Sequence, residues 1–138
     1  MGSAERVVLD TRFLLAIPFL DERKKGKVVE FHSRIRSKAV TGYVPTIVIT
    51  EYFHIMSKRY GTDVAELRSR SIMETYTIVD VDEAIALEAG RILARVEVPI
   101  GDAIIGATKY CMKADYVVTD DEEHFNKIGV KTKWIDQL

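Results

Sequence analysis

The amino-acid sequence predicts an α/β protein with a three-layer α/β/α sandwich, in which a central parallel sheet of about five strands lies between helices. Short apolar runs, such as Arg6–Leu9 and Tyr116–Thr119, alternate with longer segments whose apolar residues recur at helical spacing. Strands that alternate with helices in this way form parallel sheets. At 138 residues, without internal repeats or a low-complexity linker, the chain is about one domain long, so we expect a single domain over residues 1–138.

The first half of the chain contains two predicted strands and four predicted helices. The run Arg6–Leu9 stops at Asp10 and is typical of a buried parallel strand. Tyr43–Pro45 is a short second strand, and Gly42 and Gly61 follow helix ends. The helices are Thr11–Asp21, Lys25–Lys38, Ile47–Arg59 and Val64–Glu74, with Thr46 capping the third and Thr62 or Asp63 the fourth.

The second half contains three predicted strands and shorter helices. The alternating run Tyr76–Val79 is the third strand, Tyr116–Thr119 the fourth and Val130–Ile135 the fifth. Between them we expect a helix over Glu83–Arg95 capped by Asp82, a loop over Pro99–Gly101, a helix over Asp102–Lys113 and one helical turn over Glu122–Phe125.

Composition excludes several classes of protein. The longest apolar stretch, Phe13–Leu20, is interrupted by Pro18 and is far shorter than a membrane span, and Met1–Asp10 lacks the apolar region of a secretory leader. The single cysteine, Cys111, cannot form an internal disulfide, so we expect a cytoplasmic protein. The net charge of −1 means that any nucleic-acid binding uses a local basic patch.

Acidic residues follow two of the predicted strands. Asp10 comes directly after the first strand, and Asp120 and Asp121 come after the fourth, within the segment "VVTDDEEHF". Ligands of parallel sheets bind at the carboxyl ends of the strands, where the strand order reverses. If the two strands are neighbours, these carboxylates share one crevice. The local alternative for Asp10 is that it caps the following helix.

Two further acids occupy unusual helical positions. Glu51 has Ile47, Val48 and Ile55 on its flanks, so it borders the buried face of its helix, where a charge must be paired or bound to a metal. A buried salt bridge with an arginine is the alternative. Asp102 begins a helix that is apolar nearly all round, and its alternative role is that of an N-cap.

The segment "VVTDDEEHF" carries more acids than helix capping requires. Thr119 with Glu122 matches a capping box, and Asp120 with Glu123 matches a weaker one. Glu122 and Glu123 also suit the positive end of a helix dipole, so we assign those two to the helix and Asp120 and Asp121 to chemistry.

The set Asp10, Glu51, Asp102 and Asp121 is typical of a site for Mg²⁺ or Mn²⁺, which bind carboxylate oxygens and keep positions for water and phosphate. Zinc is disfavoured, because one cysteine and the scattered His32, His54 and His124 show no ligand spacing. The sequence also contains no phosphate-binding P-loop and no motif of a Ser-His-Asp nucleophile.

These residues resemble the PIN domain family, and within it the VapC-type toxin ribonucleases. The resemblance is carried by "VVLDTRFLLA", "TIVITEYFHIM" and "VPIGDAIIGATKYCMKADYVVTDDEEHF", and it covers nearly the whole chain. It implies Asp10, Glu51, Asp102 and Asp121 as catalytic acids, with Asp10, Asp102, Asp121 and Asp120 as metal ligands. Asp120 is the alternative to Asp121 for the fourth acid, and Thr119 matches the family's hydroxyl residue.

The resemblance also implies an activity and partners: metal-dependent hydrolysis of RNA with Mg²⁺ or Mn²⁺, an antitoxin protein and a homodimer. One position departs from the family, because Arg12 stands where a small residue is usual. Arg12 either contacts RNA phosphate or neutralises the acids.

Two other functions fit parts of the sequence. A PIN-like scaffold would bind RNA or protein without catalysis. A haloacid-dehalogenase-type phosphotransferase would suit "VLDT", but it needs a second Asp where Arg12 stands.

Overall fold

Five parallel strands form the centre of the protein, in the order β3-β2-β1-β4-β5. The computed structural model describes residues 4–138. The strands are β1 (Glu5–Leu9), β2 (Val40–Pro45), β3 (Thr77–Val79), β4 (Tyr116–Val118) and β5 (Thr132–Lys133). The helices are α1 (Thr11–Ala16), α2 (Glu22–Arg36), α3 (Thr46–Tyr60), α4 (Thr62–Thr75), α5 (Glu83–Arg95), α6 (Ile100–Cys111) and α7 (Glu122–Ile128). The predicted fold class, an α/β/α sandwich around a parallel sheet, is confirmed.

The middle strand β1 explains why the sheet strands are apolar on both faces. Val7, Val8 and Leu9 are completely buried, because β2 and β4 pair with the two edges of β1 and helices cover its faces. Continuous apolar runs are what a parallel sheet with two covered faces requires. The same burial extends to Val117 and Val118 in β4, so the acids that follow these two strands begin at the edge of the core.

The chain path creates a reversal of strand order between β1 and β4. From β1 the chain proceeds to β2 and β3 on one side of the sheet, and then crosses to β4 and β5 on the other side. Connections that leave two adjacent parallel strands in opposite directions open a crevice at the carboxyl ends of those strands. Asp10 follows β1 at this point, and Thr119 follows β4.

Several helix boundaries differ from the prediction. The predicted loop Pro99–Gly101 is wrong, because α6 begins at Ile100. Thr46 is the first residue of α3 and does not cap it; its hydroxyl instead accepts a hydrogen bond from the backbone N–H of Val81 (3.3 Å). Gly42 lies inside β2, where a Cβ atom would approach Ile35 and Tyr76 to 3.3 Å, so its role is close packing and not helix termination.

The remaining differences concern length. The first predicted helix ends earlier, at Ala16, and continues as a 3-10 turn over Ile17–Phe19, because Pro18 cannot continue an α-helix. The fifth strand is shorter than predicted and covers Thr132–Lys133. Within residues 4–138, no helix has both the length and the apolar character needed to cross a membrane.

Candidate functional site

A crevice of about 210 Å³ opens at the carboxyl ends of β1 and β4. Its walls come from the start of α1, the middle of α3, the start of α6 and the segment that leads into α7. The structure therefore brings together side chains that are up to 114 positions apart in the sequence. The lining residues are Asp10, Thr11, Arg12, Leu15, Glu51, Ile55, Pro99, Asp102, Asp121 and His124.

Asp10 is buried and faces this crevice from the end of β1. It occupies the N-cap position of α1, but its side chain accepts no capping hydrogen bond. Its Oδ2 atom instead accepts a hydrogen bond from the hydroxyl of Thr119 (2.7 Å), which follows β4. Burial raises the pKa of Asp10 to about 6, and the nearby carboxylate of Glu51 acts in the same direction, although the bond from Thr119 opposes them. The N-cap alternative for its side chain is therefore wrong.

Glu51 reaches the crevice from α3. Its Oε1 atom accepts a hydrogen bond from the hydroxyl of Thr11 (2.8 Å). No lysine or arginine in residues 4–138 forms an ion pair with Glu51, so the alternative of a buried salt bridge is wrong. Gly101 makes room for this carboxylate, because a Cβ atom at that position would lie only 2.8 Å from Oε2 of Glu51.

Asp102 is the third residue of α6 and does not cap the helix, whose N-cap residue is Pro99. Its Oδ2 atom is buried and has no hydrogen-bond partner in the described part of the chain. The Nδ1 atom of His124 lies 3.3 Å from it, close enough for charge attraction, but the bond geometry is not that of a hydrogen bond. Burial, and after it the carboxylates of Asp10 and Asp121, raise the pKa of Asp102 to about 7.

The segment after β4 links the two strand ends. The hydroxyl of Thr119 accepts a hydrogen bond from the backbone N–H of Asp121 (3.0 Å) while it donates to Asp10. Asp121 is the N-cap of α7, because its Oδ1 atom accepts from the backbone N–H of His124 (3.2 Å). The predicted capping boxes at Thr119 and Asp120 are therefore wrong. Thr119 donates its hydroxyl to Asp10, and α7 is capped by Asp121, which we had assigned to chemistry.

His124 is a site residue that the sequence analysis missed. Its Nδ1 atom lies 2.8 Å from Oδ2 of Asp121. Burial acts to raise the pKa of Asp121, but the side-chain and backbone hydrogen bonds of His124 outweigh it, so the pKa of Asp121 is lowered. The bond to Asp121 in turn raises the pKa of His124. The spacing Asp121-x-x-His124 at a helix start was the available signal, because residues three apart share one helix face.

Asp102, Asp121 and His124 could hold one metal ion, since one ligand atom from each lies within 4.8 Å of the others. The residues present fit a divalent cation, because Oδ2 of Asp102 is buried without a partner and the donors are mostly carboxylate oxygens.

Asp120 and Arg12 lie at the rim. Asp120 does not line the crevice; its Oδ1 atom is 3.2 Å from Nη1 of Arg12, and both side chains are about half exposed. Of the two acids that we considered for the fourth position, Asp121 is therefore the one that faces the crevice.

Comparisons with known proteins identify the family and the fold of the chain. The PIN domain family model matches residues 7–131. No curated protein sequence matches the chain. Solved structures that share its fold include DNA-bound VapBC from Salmonella typhimurium, with 18% identity, a TM-score of 0.77, and coverage of 95% of this chain and 98% of that one.

Two further structures extend the comparison. VapC20 from Mycobacterium tuberculosis, a Sarcin-Ricin loop cleaving toxin, has 16% identity and a TM-score of 0.67 over 87% of this chain and 93% of that chain. A toxin-antitoxin complex from Klebsiella pneumoniae has 19% identity and a TM-score of 0.64 over 86% and 89%. At these identities the structures show a shared fold, whereas the family model covers most of the sequence. The chain therefore belongs to the PIN domain family.

Proposed function

We propose that this protein is a divalent-metal-dependent ribonuclease that hydrolyses RNA phosphodiester bonds, and that it is the toxin of a VapBC-type toxin-antitoxin pair. The observation that carries the proposal is the meeting of Asp10, Glu51, Asp102 and Asp121 in one crevice at the reversal of strand order. Four carboxylates in one cavity, without a lysine or arginine salt bridge to any of them in residues 4–138, call for a bound cation.

Asp102 and Asp121, which with His124 form the group of close ligand atoms, would hold the ion together with Asp10, which lines the same crevice. We propose that the ion is Mg²⁺ or Mn²⁺. When bound, the ion supplies Lewis-acid chemistry, because it lowers the pKa of a water nucleophile and stabilises charge on phosphate oxygens. His124 adds an imidazole nitrogen beside the carboxylates, and a nitrogen donor favours Mn²⁺ over Mg²⁺.

The other polar residues of the crevice orient these acids. The hydroxyl of Thr119 holds the Oδ2 atom of Asp10, and the hydroxyl of Thr11 holds the Oε1 atom of Glu51. His124 holds both carboxylate oxygens of Asp121, because its backbone N–H donates to Oδ1 and its Nδ1 atom contacts Oδ2. Without a cation, the pKa of Asp102 is raised to about 7, so its carboxyl group is only partly ionised at neutral pH.

The proposed substrate and partners are supported by solved structures that share this fold. VapC20 is described as a toxin that cleaves the Sarcin-Ricin loop, and another structure with this fold is a toxin-antitoxin complex. We propose RNA as the substrate, an antitoxin and a second copy of this chain as partners, and a cytoplasmic location. An antitoxin would insert a lysine or arginine into the crevice, because a cation there satisfies the carboxylates as a metal does.

RNA cleavage by the pure protein tests the proposal. We expect cleavage with Mn²⁺ and with Mg²⁺ and none with EDTA. Asp102→Asn should cut at least about 100-fold more slowly. Replacement of a residue that only hydrogen-bonds to a metal ligand already lowers metal affinity or activity by about 10- to 100-fold. Asp82→Asn is the matched control, because Asp82 also stands at a helix start but lies outside the crevice.

Three outcomes would contradict the proposal. Cleavage that persists in EDTA would exclude metal dependence, and unchanged cleavage by folded Asp102→Asn would exclude the role of Asp102. RNA binding without cleavage under any ion would instead indicate the PIN-like scaffold. Membership of the PIN family already removes the haloacid-dehalogenase alternative.

A further inference from the structure

Arg12 and Asp120 form an ion pair at the rim of the acid crevice. Nη1 of Arg12 lies 3.2 Å from Oδ1 of Asp120, and the two side chains are 56% and 48% exposed. Arg12 follows Asp10 by two positions, and Asp120 directly precedes Asp121. The pair therefore connects the segments after β1 and β4, the same two segments that supply crevice acids.

Arg12 is the only lysine or arginine among the residues that line the crevice in the described part of the chain. An RNA strand that approaches four carboxylates is repelled unless positive charge lies beside them. The guanidinium of Arg12 is such a charge, and it lies beside the crevice acids. His124 also lines the crevice, but it is already in contact with Asp121 and Asp102.

The guanidinium of Arg12 has unused donors. A guanidinium carries five N–H groups, and the one side-chain hydrogen bond that Arg12 makes within residues 4–138 is the bond from Nη1 to Asp120. The remaining N–H groups belong to a half-exposed side chain, so they are available to a phosphate, which guanidinium groups bind with two parallel hydrogen bonds. Asp120 and a phosphate can therefore bind Arg12 at the same time.

Stability alone explains the pair poorly. Exposed ion pairs contribute little to folding free energy, because water screens the charges and the side chains lose freedom. Asp120 lies outside the crevice lining, whereas Asp121 lies within it and also caps α7. Asp120 thus has a partner of its own, which is Arg12.

We propose that Arg12 binds an RNA phosphate at the rim of the acid crevice, and that Asp120 orients Arg12 for this contact instead of binding the metal. This inference rests on the proposed ribonuclease function. It makes Arg12 a substrate-binding residue and Asp120 a positioning residue that acts through Arg12.

The first measurement is RNA affinity as a function of salt, by fluorescence anisotropy with a labelled mixed-sequence RNA. Ca²⁺ replaces Mn²⁺, and a gel checks that the RNA stays intact. Arg12→Ala should weaken binding about tenfold, the order expected for a charge-assisted hydrogen bond. The slope of log affinity against log salt should become about 0.7 shallower, the value for one lost phosphate contact on a single strand. Arg12→Lys should keep most of the slope but lose affinity, because an ammonium cannot bind in the two-pronged manner.

Arg91→Ala is the matched control for loss of charge. The Arg91 side chain is 62% exposed and forms an ion pair of similar length with the more buried Glu88 (3.1 Å), on α5 and outside the crevice lining. If Arg12→Ala and Arg91→Ala give the same affinity and the same salt slope, Arg12 makes no phosphate contact and the inference is overturned. If, in addition to these equal affinities and slopes, Arg12→Ala melts at a lower temperature than the parent in EDTA, then Arg12 only neutralises the acids.

The second measurement separates the two roles of Asp120. Replacement of a metal ligand weakens Mn²⁺ binding, so Asp121→Ala should show a smaller Mn²⁺-induced rise in melting temperature than the parent. Asp120 is not a ligand in our proposal, so Asp120→Ala should show the same rise as the parent. Loss of the Mn²⁺ response in Asp120→Ala would overturn the assignment of Asp120.

A double-mutant cycle tests whether Asp120 acts through Arg12. Asp120→Ala should weaken RNA binding in the parent, but it should not weaken it in the Arg12→Ala background. Equal effects in the two backgrounds would overturn the positioning role. The failure of this inference can be distinguished from the failure of the proposed function. If Asp102→Asn abolishes cleavage while the Arg12 variants bind RNA like the parent, only this inference fails. If the parent cuts no RNA, the proposed function itself fails.

Discussion

Asp82 and Asp102 look alike in the sequence and differ in the structure. In the sequence analysis Asp82 precedes a helix and Asp102 begins one, so each is a candidate N-cap. Asp82 is exposed, and its Oδ1 atom accepts a hydrogen bond from the backbone N–H of Ile85 (2.9 Å) at the start of α5. Asp102 lies inside the first turn of α6, and its Oδ2 atom is buried without a hydrogen-bond partner in residues 4–138.

The difference shows how to separate a structural acid from a candidate functional one. Asp82 is satisfied by an N–H group of its own helix and lies outside the crevice lining. Asp102 instead receives the field of Asp10 and Asp121, which come from the ends of two other elements. An acid that local structure leaves unsatisfied, and that other acids surround, is one that stability alone would not retain.

The largest expected effect is the pH dependence of stability in EDTA. Because the pKa of Asp10 is raised to about 6, the folded protein keeps a proton that the unfolded chain has already released. Stability should therefore fall as pH rises from about 4 to 7, by about 3 kcal/mol for Asp10 alone. The raised pKa of Asp102 acts in the same direction, whereas the lowered pKa of Asp121 contributes stability that is present above the ordinary pKa of an aspartate and is lost as pH falls below it.

Denaturant unfolding at a series of pH values measures this fall. Asp10→Asn should reduce it clearly, because an amide oxygen can still accept the bond from Thr119 but does not ionise. Asp82→Ala, outside the crevice, is the control. An equal fall in the parent and in Asp10→Asn would contradict the assignment to Asp10.

The second effect is stabilisation by a cation, which should distinguish Asp102 from Asp82. Mn²⁺ at about 100 times its dissociation constant should stabilise the parent by about 2.7 kcal/mol. Asp82→Ala should respond equally, and Asp102→Asn should respond much less. Thermal melts with Mn²⁺ and with EDTA measure the difference; an equal Mn²⁺ response in both variants would remove Asp102 from the metal site.

The smallest expected effect is the change in stability when Asp82 or Asp102 is replaced in the absence of a metal ion. Asp82→Ala should destabilise the protein by about 1 kcal/mol through loss of the cap of α5. Asp102→Ala should leave the protein in EDTA at least as stable as the parent, since the change removes a buried carboxyl group from beside two others. If Asp102→Ala melts well below the parent in EDTA, Asp102 has a structural role and the comparison with Asp82 fails.

Much of the fold could be predicted because its signals are local. The apolar runs of β1 and β4 end at polar residues, and the cap at Asp82 is made by residues three apart in the chain. The start of α6 could not be predicted in this way. Pro99 suits a position just before a helix as well as a loop, and in the structure the helix begins at Ile100, which places Gly101 against the carboxylate of Glu51.

The sequence by itself determined which acids follow strands and which flank apolar helices, because both patterns depend on neighbours along the chain. Only the tertiary structure decided what each acid contacts. The reversal of strand order places β4 beside β1, and this brings Thr119 to Asp10 and Arg12 to Asp120 across more than 100 positions. The packing of α7 against α6 sets His124 beside Asp102. Those contacts depend on the order of strands in the sheet, which no local pattern of side chains specifies.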